Sequence, residues 1–161
     1  MAAPLRVGIA GLGTVGAEVV RLIERQGRML SERAGRGIRV VAVTARSKAK
    51  KRGVDLDGIS WAKDPLALAS DPEIDCLVEL MGGAGDPALS AIDTALKSGK
   101  SVVTANKALI AKHGLKLAKA AEKHGGALNF EAAVGAAIPI VKTLREGLAG
   151  TGISRVYGIL N

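Results

Sequence analysis

Residues Leu5 to Gly16 read LRVGIAGLGTVG, an alternating apolar run that passes directly into Gly11-Leu12-Gly13-Thr14-Val15-Gly16. Leu5, Val7 and Ile9 recur at the period of a strand, and Val15, Val19, Leu22 and Ile23 then recur at helical spacing. G-x-G-x-x-G by itself is a weak signal in a chain with 21 glycines. Set between a strand and a helix, it is a dinucleotide-binding fingerprint. Gly11 permits the tight turn out of the strand. Gly13 lets a pyrophosphate approach the backbone, and Gly16 lets the helix pack closely on the strand. The helix N-terminus, entered through Leu12, Thr14 and Val15, offers free N–H groups and a partial positive charge to phosphates. The alternative is a glycine-rich turn that binds nothing.

The rest of the chain repeats the alternation of strand and helix. After a polar connection from Arg25 to Gly37, Ile38 to Ala45 is apolar and β-branched, as in a strand buried on both faces. A basic segment follows, Arg46 to Gly53, and Gly58 to Trp61 is a short extended piece. Asp64-Pro65 and Asp86-Pro87 each present a cap followed by proline, opening helices to about Ser70 and Ser98. Ile74 to Leu80 and Ser101 to Thr104 read as strands. Asn106-Lys107 begins another helical turn, and Gly114 to His124 is a helix stopped by Gly125-Gly126. Ala127 to Glu131 is predicted as a strand, Ala132 to Ile138 as a loop, Pro139 to Leu148 as a helix, and Ile153 to Leu160 as a final strand. This order predicts an α/β fold of Rossmann type: a doubly wound, mostly parallel sheet with helices on both faces.

Aromatic residues make up 2% of the chain, so the core must be built from Ala, Val, Leu and Ile. The lone Cys76 excludes an internal disulfide, and its apolar surroundings predict a buried, inert thiol. No apolar stretch is long enough to span a bilayer, the N-terminus does not read as a signal peptide, and the expected location is cytoplasmic. The net charge of +8 raises the question of nucleic acid. The scarcity of aromatics for base stacking argues against it. A phosphate-rich small ligand and a solvated basic surface account for the charge as well.

Three strand ends carry candidate chemistry. At the end of the second strand, an NAD site normally offers an acid to the ribose 2′-hydroxyl. This chain offers Thr44, Ala45, Arg46 and Ser47, and no acid before Asp55. Arg46 can fork onto a 2′-phosphate, so NADP(H) is the expected cofactor, with NAD(H) possible. Gly82-Gly83 follows the third strong strand and permits close backbone approach, or is simply a turn. Asn106 is a good N-cap for a helix starting at Lys107. A lysine there faces the positive end of the helix dipole, which a bound anion or reacting hydroxyl would offset; the alternative is a flexible surface lysine. His113 and His124 read as capping or surface residues. Glu131 could be a core-edge acid, or the carboxylate of a monovalent-cation site completed by backbone carbonyls.

On these residues the chain resembles the N-terminal part of homoserine dehydrogenase. The resemblance rests on GLGTVG (residues 11–16), TARS (44–47), VTANKALIAKHG (103–114), NFEAAVGAAIPI (129–140) and LREGLAGTGISRVYGILN (144–161). The family oxidises L-homoserine to L-aspartate 4-semialdehyde with NAD(P)+, or runs in reverse, within amino-acid biosynthesis. The resemblance implies that Lys107 lies beside nicotinamide and the substrate hydroxyl and assists proton transfer. It implies a sodium or similar ion held by Glu131 and the carbonyls of Val134, Ala136 and Ile138. Ala136-Ala137 stands where the family commonly has at least one glycine, which makes the loop's backbone angles the point to check. Residues 1–150 are expected to form the cofactor domain, and 151–161 to open a substrate and dimerisation domain that completes a homo-oligomeric enzyme. This chain alone is expected to bind cofactor without turnover. Two other readings remain: a dehydrogenase of another amino acid or semialdehyde, and a non-catalytic nucleotide sensor.

Overall fold

The computed structural model describes residues 2–158. Six strands form one sheet: β1 (Ala2–Ala10), β2 (Arg36–Thr44), β3 (Ser60–Trp61), β4 (Cys76–Glu79), β5 (Ser101–Thr104) and β6 (Leu128–Asn129). Their order is β3-β2-β1-β4-β5-β6, and every pairing is parallel. The order reverses between β1 and β4, which creates the crevice at which open α/β sheets bind ligands. The helices are α1 (Thr14–Arg25), α2 (Gly27–Ala34), α3 (Pro65–Ser70), α4 (Ala88–Lys97), α5 (Lys107–His124), α6 (Glu131–Val134) and α7 (Ile140–Lys142), which continues into a π-helical turn, Thr143–Gly147.

Alternation along the strands divides the core in two. Leu77, Val102 and Leu128 pack with Leu68 of α3, Ala91, Ile92 and Leu96 of α4, and Leu109 and Leu117 of α5. On the opposite face Val7, Ile9 and Val43 pack with Leu12 and with Val20 of α1. The first face is covered along the sheet. The second is covered over β1 and β2, whereas Val103 on β5 is 37% exposed. Cys76 is buried, and burial pushes its thiol pKa up to about 11, so it is the inert thiol expected.

Several local readings change. The stretch taken as a connection, residues 25–37, contains α2. This helix has no buried residue and ends on Gly35 at φ +69°, so it leaves no apolar stripe to read. Helix α5 is one continuous element through Gly114, with Leu109, Leu117 and Ala121 buried along one stripe. That burial outweighs the ~1 kcal/mol cost of a helical glycine, and it puts His113 in mid-helix. The predicted strand at 127–131 is only Leu128–Asn129, with Glu131 opening α6. The segment 139–148 is helical but splits into α7 and the π-helical turn. Residues 153–158 of the expected last strand carry no strand pairing, and 159–160 lie outside the described residues. Asp64 caps α3 as expected, its Oδ1 accepting from the Ala67 N–H at 2.7 Å, with Pro65 first in the helix. At the second such signal the helix begins at Ala88, with Pro87 at the cap position, and Asp86 accepts from the Ser90 N–H at 3.0 Å.

Arg6, midway along β1, joins that strand to Asp75 at the amino-terminal end of β4. Its Nε and Nη2 donate to Asp75 at 3.1 and 2.8 Å, and its backbone N–H donates to the same carboxylate at 2.9 Å. The Arg6 side-chain bond, and then its backbone bond, hold Asp75 down at about 2. The folded-state pKa lies below the unfolded value of about 3.9. The contribution is therefore complete above pH ~4 and disappears as pH falls toward ~2. We expect the thermal midpoint, followed by circular dichroism, to fall more steeply across that window in the parent chain than in Arg6→Met. Parallel curves for the two proteins would remove this pair from the account of acid stability.

Candidate dinucleotide-binding site

The carboxyl ends of four strands are level: Ala10 pairs with Thr44 on one side and Glu79 on the other, and Glu79 pairs with Thr104. At about 4.8 Å per strand spacing, this edge spans about 14 Å, enough to seat the centre of an extended dinucleotide. The glycine turn leaves β1 here. Gly11 adopts φ +104°, and a β-carbon on it would lie 2.7 Å from the Leu80 carbonyl oxygen. A β-carbon on Gly16 would collide with the Gly11 carbonyl. Gly13 differs from both: the space beside it is open, with nothing within 4 Å of a β-carbon position. It caps α1 without a side-chain bond, and no acid occupies the first turn. The N–H groups of Thr14, Val15 and Gly16 precede the first intrahelical donor, Ala17, which reaches the Gly13 carbonyl at 3.0 Å. The turn is thus a concave cradle of donors next to open space, which fits a pyrophosphate. Leu12 is buried in the core and contributes only its backbone to this edge.

At the end of β2, Thr44 is buried, Ala45 half-buried, and Arg46 and Ser47 exposed. Arg46 makes no side-chain hydrogen bond or ion pair among the described residues. Arg52 behaves differently. Its Nε donates to the Leu12 carbonyl at 2.9 Å, Nη1 to the Lys50 carbonyl at 2.6 Å, and Nη2 to the Ser47 carbonyl. Arg52 and Lys48 each stand 5.5 Å from the centre of the Trp61 ring, within cation–π range. The basic segment is therefore a built loop around Arg52. Reading the sequence as a run of positive charge concealed this, since nothing in RSKAKKR distinguishes one cation from the next.

Beyond the crevice, β4 ends on Glu79, which is fully buried. Its Oε1 accepts from the N–H of Met81 at 2.7 Å and of Gly82 at 3.3 Å, and its Oε2 from the Thr104 hydroxyl at 2.6 Å. The Thr104 oxygen in turn accepts from the Asn106 N–H at 3.0 Å. Asn106 caps α5, its Oδ1 accepting from the Leu109 N–H at 3.1 Å, while its Nδ2 donates to the Gly83 carbonyl at 2.7 Å. Lys107 follows as the first helical residue and is exposed. The structure thus brings Gly82, Gly83 and Lys107 to the same edge as the glycine turn and Arg46. Glu79 was overlooked in the sequence, although an acid inside the run CLVEL is itself a signal: a buried carboxylate needs partners.

The expected cation loop lies after β6. Both carboxylate oxygens of Glu131 accept backbone bonds, from Val141 and Lys142 at 2.9 Å each. The Ile138 carbonyl accepts from the Ile140 N–H at 2.8 Å. Val134 and Ile138 are exposed, and so is Ala136. Among these residues Glu131 serves as the cap that ties α7 to α6. Ala137 is the one non-glycine residue with a positive φ, +64°, among the described residues. A β-carbon in that left-handed region costs about 1–2 kcal/mol. Ala137→Gly should therefore raise stability by roughly 0.5–1 kcal/mol in urea unfolding, the relief being offset in part by glycine's unfolded-state freedom. A destabilised variant would show that Ala137 is held by contacts of its own.

Two concavities, of about 480 and 380 Å³, lie at the opposite edge, around Arg6, Asp75 and Lys100 and around Arg36 and Arg39. In the larger, Arg6 is engaged with Asp75 and Glu73, and Lys100 with the carbonyls of Ala69 and Asp71. The strand order, the glycine turn and the open helix N-terminus belong to the carboxyl edge, and they define a dinucleotide-binding domain of Rossmann type. A family model described as "Homoserine dehydrogenase, NAD binding domain" matches residues 11–131, and the chain belongs to that family.

Homoserine dehydrogenase of Pseudomonas aeruginosa is 44% identical over 161 residues, covering 98% of this chain and 36% of that protein. The crystal structure of a homoserine dehydrogenase from Thiobacillus denitrificans superposes with a TM-score of 0.83 at 44% identity, covering 91% of this chain and 34% of that one. A hyperthermophilic archaeal homoserine dehydrogenase in complex with NADPH superposes at 0.74 with 27% identity, covering 91% of this chain and 50% of that one. The chain thus spans about 36% of the length of the Pseudomonas relative. Among the described residues no helix is long and apolar enough to cross a membrane.

Proposed function

We propose that this chain holds NADP(H), in preference to NAD(H), for the interconversion of L-homoserine and L-aspartate 4-semialdehyde in a longer cytoplasmic enzyme. The observation that carries the cofactor choice is the end of β2. Arg46 stands exposed there with no competing partner among the described residues, and no acid is present to accept a ribose 2′-hydroxyl. That the archaeal relative is a complex with NADPH supports the same choice. The Thr14, Val15 and Gly16 amides would hold the pyrophosphate, with Gly13 leaving it room, and Ala45, Arg46 and Ser47 would hold the 2′-phosphate. Gly82 and Gly83 would face the second nucleotide.

The nicotinamide, when bound, supplies the hydride acceptor or donor. Lys107 Nζ would hold the substrate's hydroxyl oxygen and take its proton as the carbon–hydrogen bond breaks, or return that proton to the carbonyl oxygen in the reverse direction. Its place at the start of α5 adds the helix dipole to whatever negative charge develops on that oxygen. Substrate-gripping carboxylates and a second lysine would come from another domain, and the whole enzyme would be a homodimer acting on small molecules rather than on nucleic acid or membranes. Glu131 could still add a sodium ion, using lone pairs not taken by Val141 and Lys142, with the carbonyls of Val134, Ala136 and Ile138 around it.

Two substitutions test the cofactor site. Arg46→Ala should weaken NADPH binding by roughly 1.5–3 kcal/mol, about tenfold or more, and leave NADH nearly unchanged. Isothermal titration of both cofactors measures the ratio, and equal affinities in the parent chain would sink the preference. Gly13→Val should abolish binding of either cofactor while leaving the circular dichroism spectrum intact, because its side chain fills space that no protein atom occupies. Normal NADPH binding by the folded variant would place the cofactor elsewhere.

A further inference from the structure

We propose that Glu79 is a positioning residue for the nicotinamide half of the cleft, holding the Gly82–Gly83 loop and Lys107 in fixed relation. The proposal rests on the cofactor reading above. It starts from a cost. Glu79 is a fully buried acid on a strand whose other residues are apolar or small, Cys76, Leu77 and Val78. An aliphatic side chain would fill such a position without a desolvation penalty. The acid is offset because three donors converge on it, the Met81 and Gly82 amides and the Thr104 hydroxyl. None of the three has another acceptor among the hydrogen bonds of the described residues.

These donors belong to groups that need an external hold. Gly82 and Gly83 lie in succession at φ +78° and +87°. Two such glycines have the widest conformational freedom of any dipeptide and do not fix their own path. Glu79 takes the Gly82 amide, and Asn106 takes the Gly83 carbonyl at 2.7 Å. On the outer side, a β-carbon at either glycine would meet nothing within 4 Å. The loop therefore presents bare backbone to open space while its inner side is pinned. The same carboxylate, through Thr104 and the Asn106 amide, fixes the first turn of α5, and Lys107 is the next residue. The adenosine side has its own contacts, the close packing of Gly16 on the Gly11 carbonyl and the Arg52 bonds to Leu12, Ser47 and Lys50, and it meets the other half where Gly11 packs against Leu80 and Met81. Glu79 thus bonds directly to the nicotinamide half of the cleft, whereas the loop that carries Arg46 is held by Arg52.

That division gives the test. NADPH uses both halves, whereas adenosine 2′,5′-bisphosphate uses only the first. Binding of both probes is measured on the parent chain, Glu79→Ala, Glu79→Gln and Thr104→Val. Glu79→Ala should weaken NADPH about tenfold or more, and it should reduce the rise in nicotinamide fluorescence on binding. The bisphosphate should stay within about twofold of the parent. Glu79→Gln keeps an oxygen for the Met81 and Gly82 amides but turns an NH2 toward Thr104, so it should fall between. Thr104→Val, nearly isosteric, should shift in the same selective direction. Equal loss of both probes would mean that Glu79 serves the domain's general integrity and would overturn the proposal, as would unchanged NADPH affinity and fluorescence in all three variants. A parent chain that bound neither probe would overturn the cofactor reading, and this proposal with it. That result is told apart because it needs no variant.

Discussion

Among the glycines, Gly16 leaves the least room for a side chain, because a β-carbon there would run into the carbonyl of Gly11. That contact sets how deeply α1 sits against β1. With α1 at this depth, Leu12 and Val20 reach Val7, Ile9 and Val43 to make one of the two cores, and the free amides of α1 stand directly over the strand ends. A methyl group at position 16 would have to lift the helix or twist the turn. Densely packed interiors pass such shifts on to their neighbours. Gly11 carries the same constraint to the other side, since its near neighbour is the Leu80 carbonyl at the end of β4. Two glycines thus set the spacing of the crevice on both its walls.

The two halves of the sheet are held by different chemistry. Around β1 and β2 the edge is organised by steric exclusion and by a guanidinium on carbonyl oxygens. Around β4 and β5 it is organised by a carboxylate that gathers amides and a hydroxyl. On the function proposed above, the difference matches what each half would present. A phosphate would need donors left free, and among the described residues the amides of Thr14, Val15 and Gly16 have no partner and no acid stands in the first turn. A flat ring would need a backbone surface at a fixed height, and in the Gly82–Gly83 loop the Gly82 amide and the Gly83 carbonyl are tied inward.

Much of this was legible in the sequence where a residue's steric character has only one good use. Gly11, Gly13 and Gly16 in that context, Asp64 before Pro65, and Asn106 before a helix all carry their geometry locally, and all are found where local rules put them. What was hidden is what depends on distant partners. Gly114 reads as a helix start, yet α5 runs through it because Leu109 and Leu117 are buried on both sides of it. Helix α2 has no apolar stripe to announce it. Glu131 reads as a possible ion ligand, and its bonds from the Val141 and Lys142 amides add a helix-capping role that no local pattern announces. Glu79 and Arg52 are single letters in the sequence, and their roles come from atoms up to 40 residues away, as with Arg52 and the Leu12 carbonyl.

Arg52 has a kinetic side as well. Its guanidinium joins the Leu12 carbonyl of the phosphate turn to the carbonyls of Ser47 and Lys50 in the loop after β2. Two surface segments that are separate in sequence are thereby made into one piece. A flexible loop of this length, carrying several like charges, would otherwise sample many shapes and repel itself. Its ordering cost, roughly 1–2 kcal/mol for each residue fixed, falls due during folding rather than at each encounter with a ligand. An arriving molecule meets a surface whose exposed arginine and open turn already stand at a set separation, so that recognition becomes a matter of fit rather than of assembly.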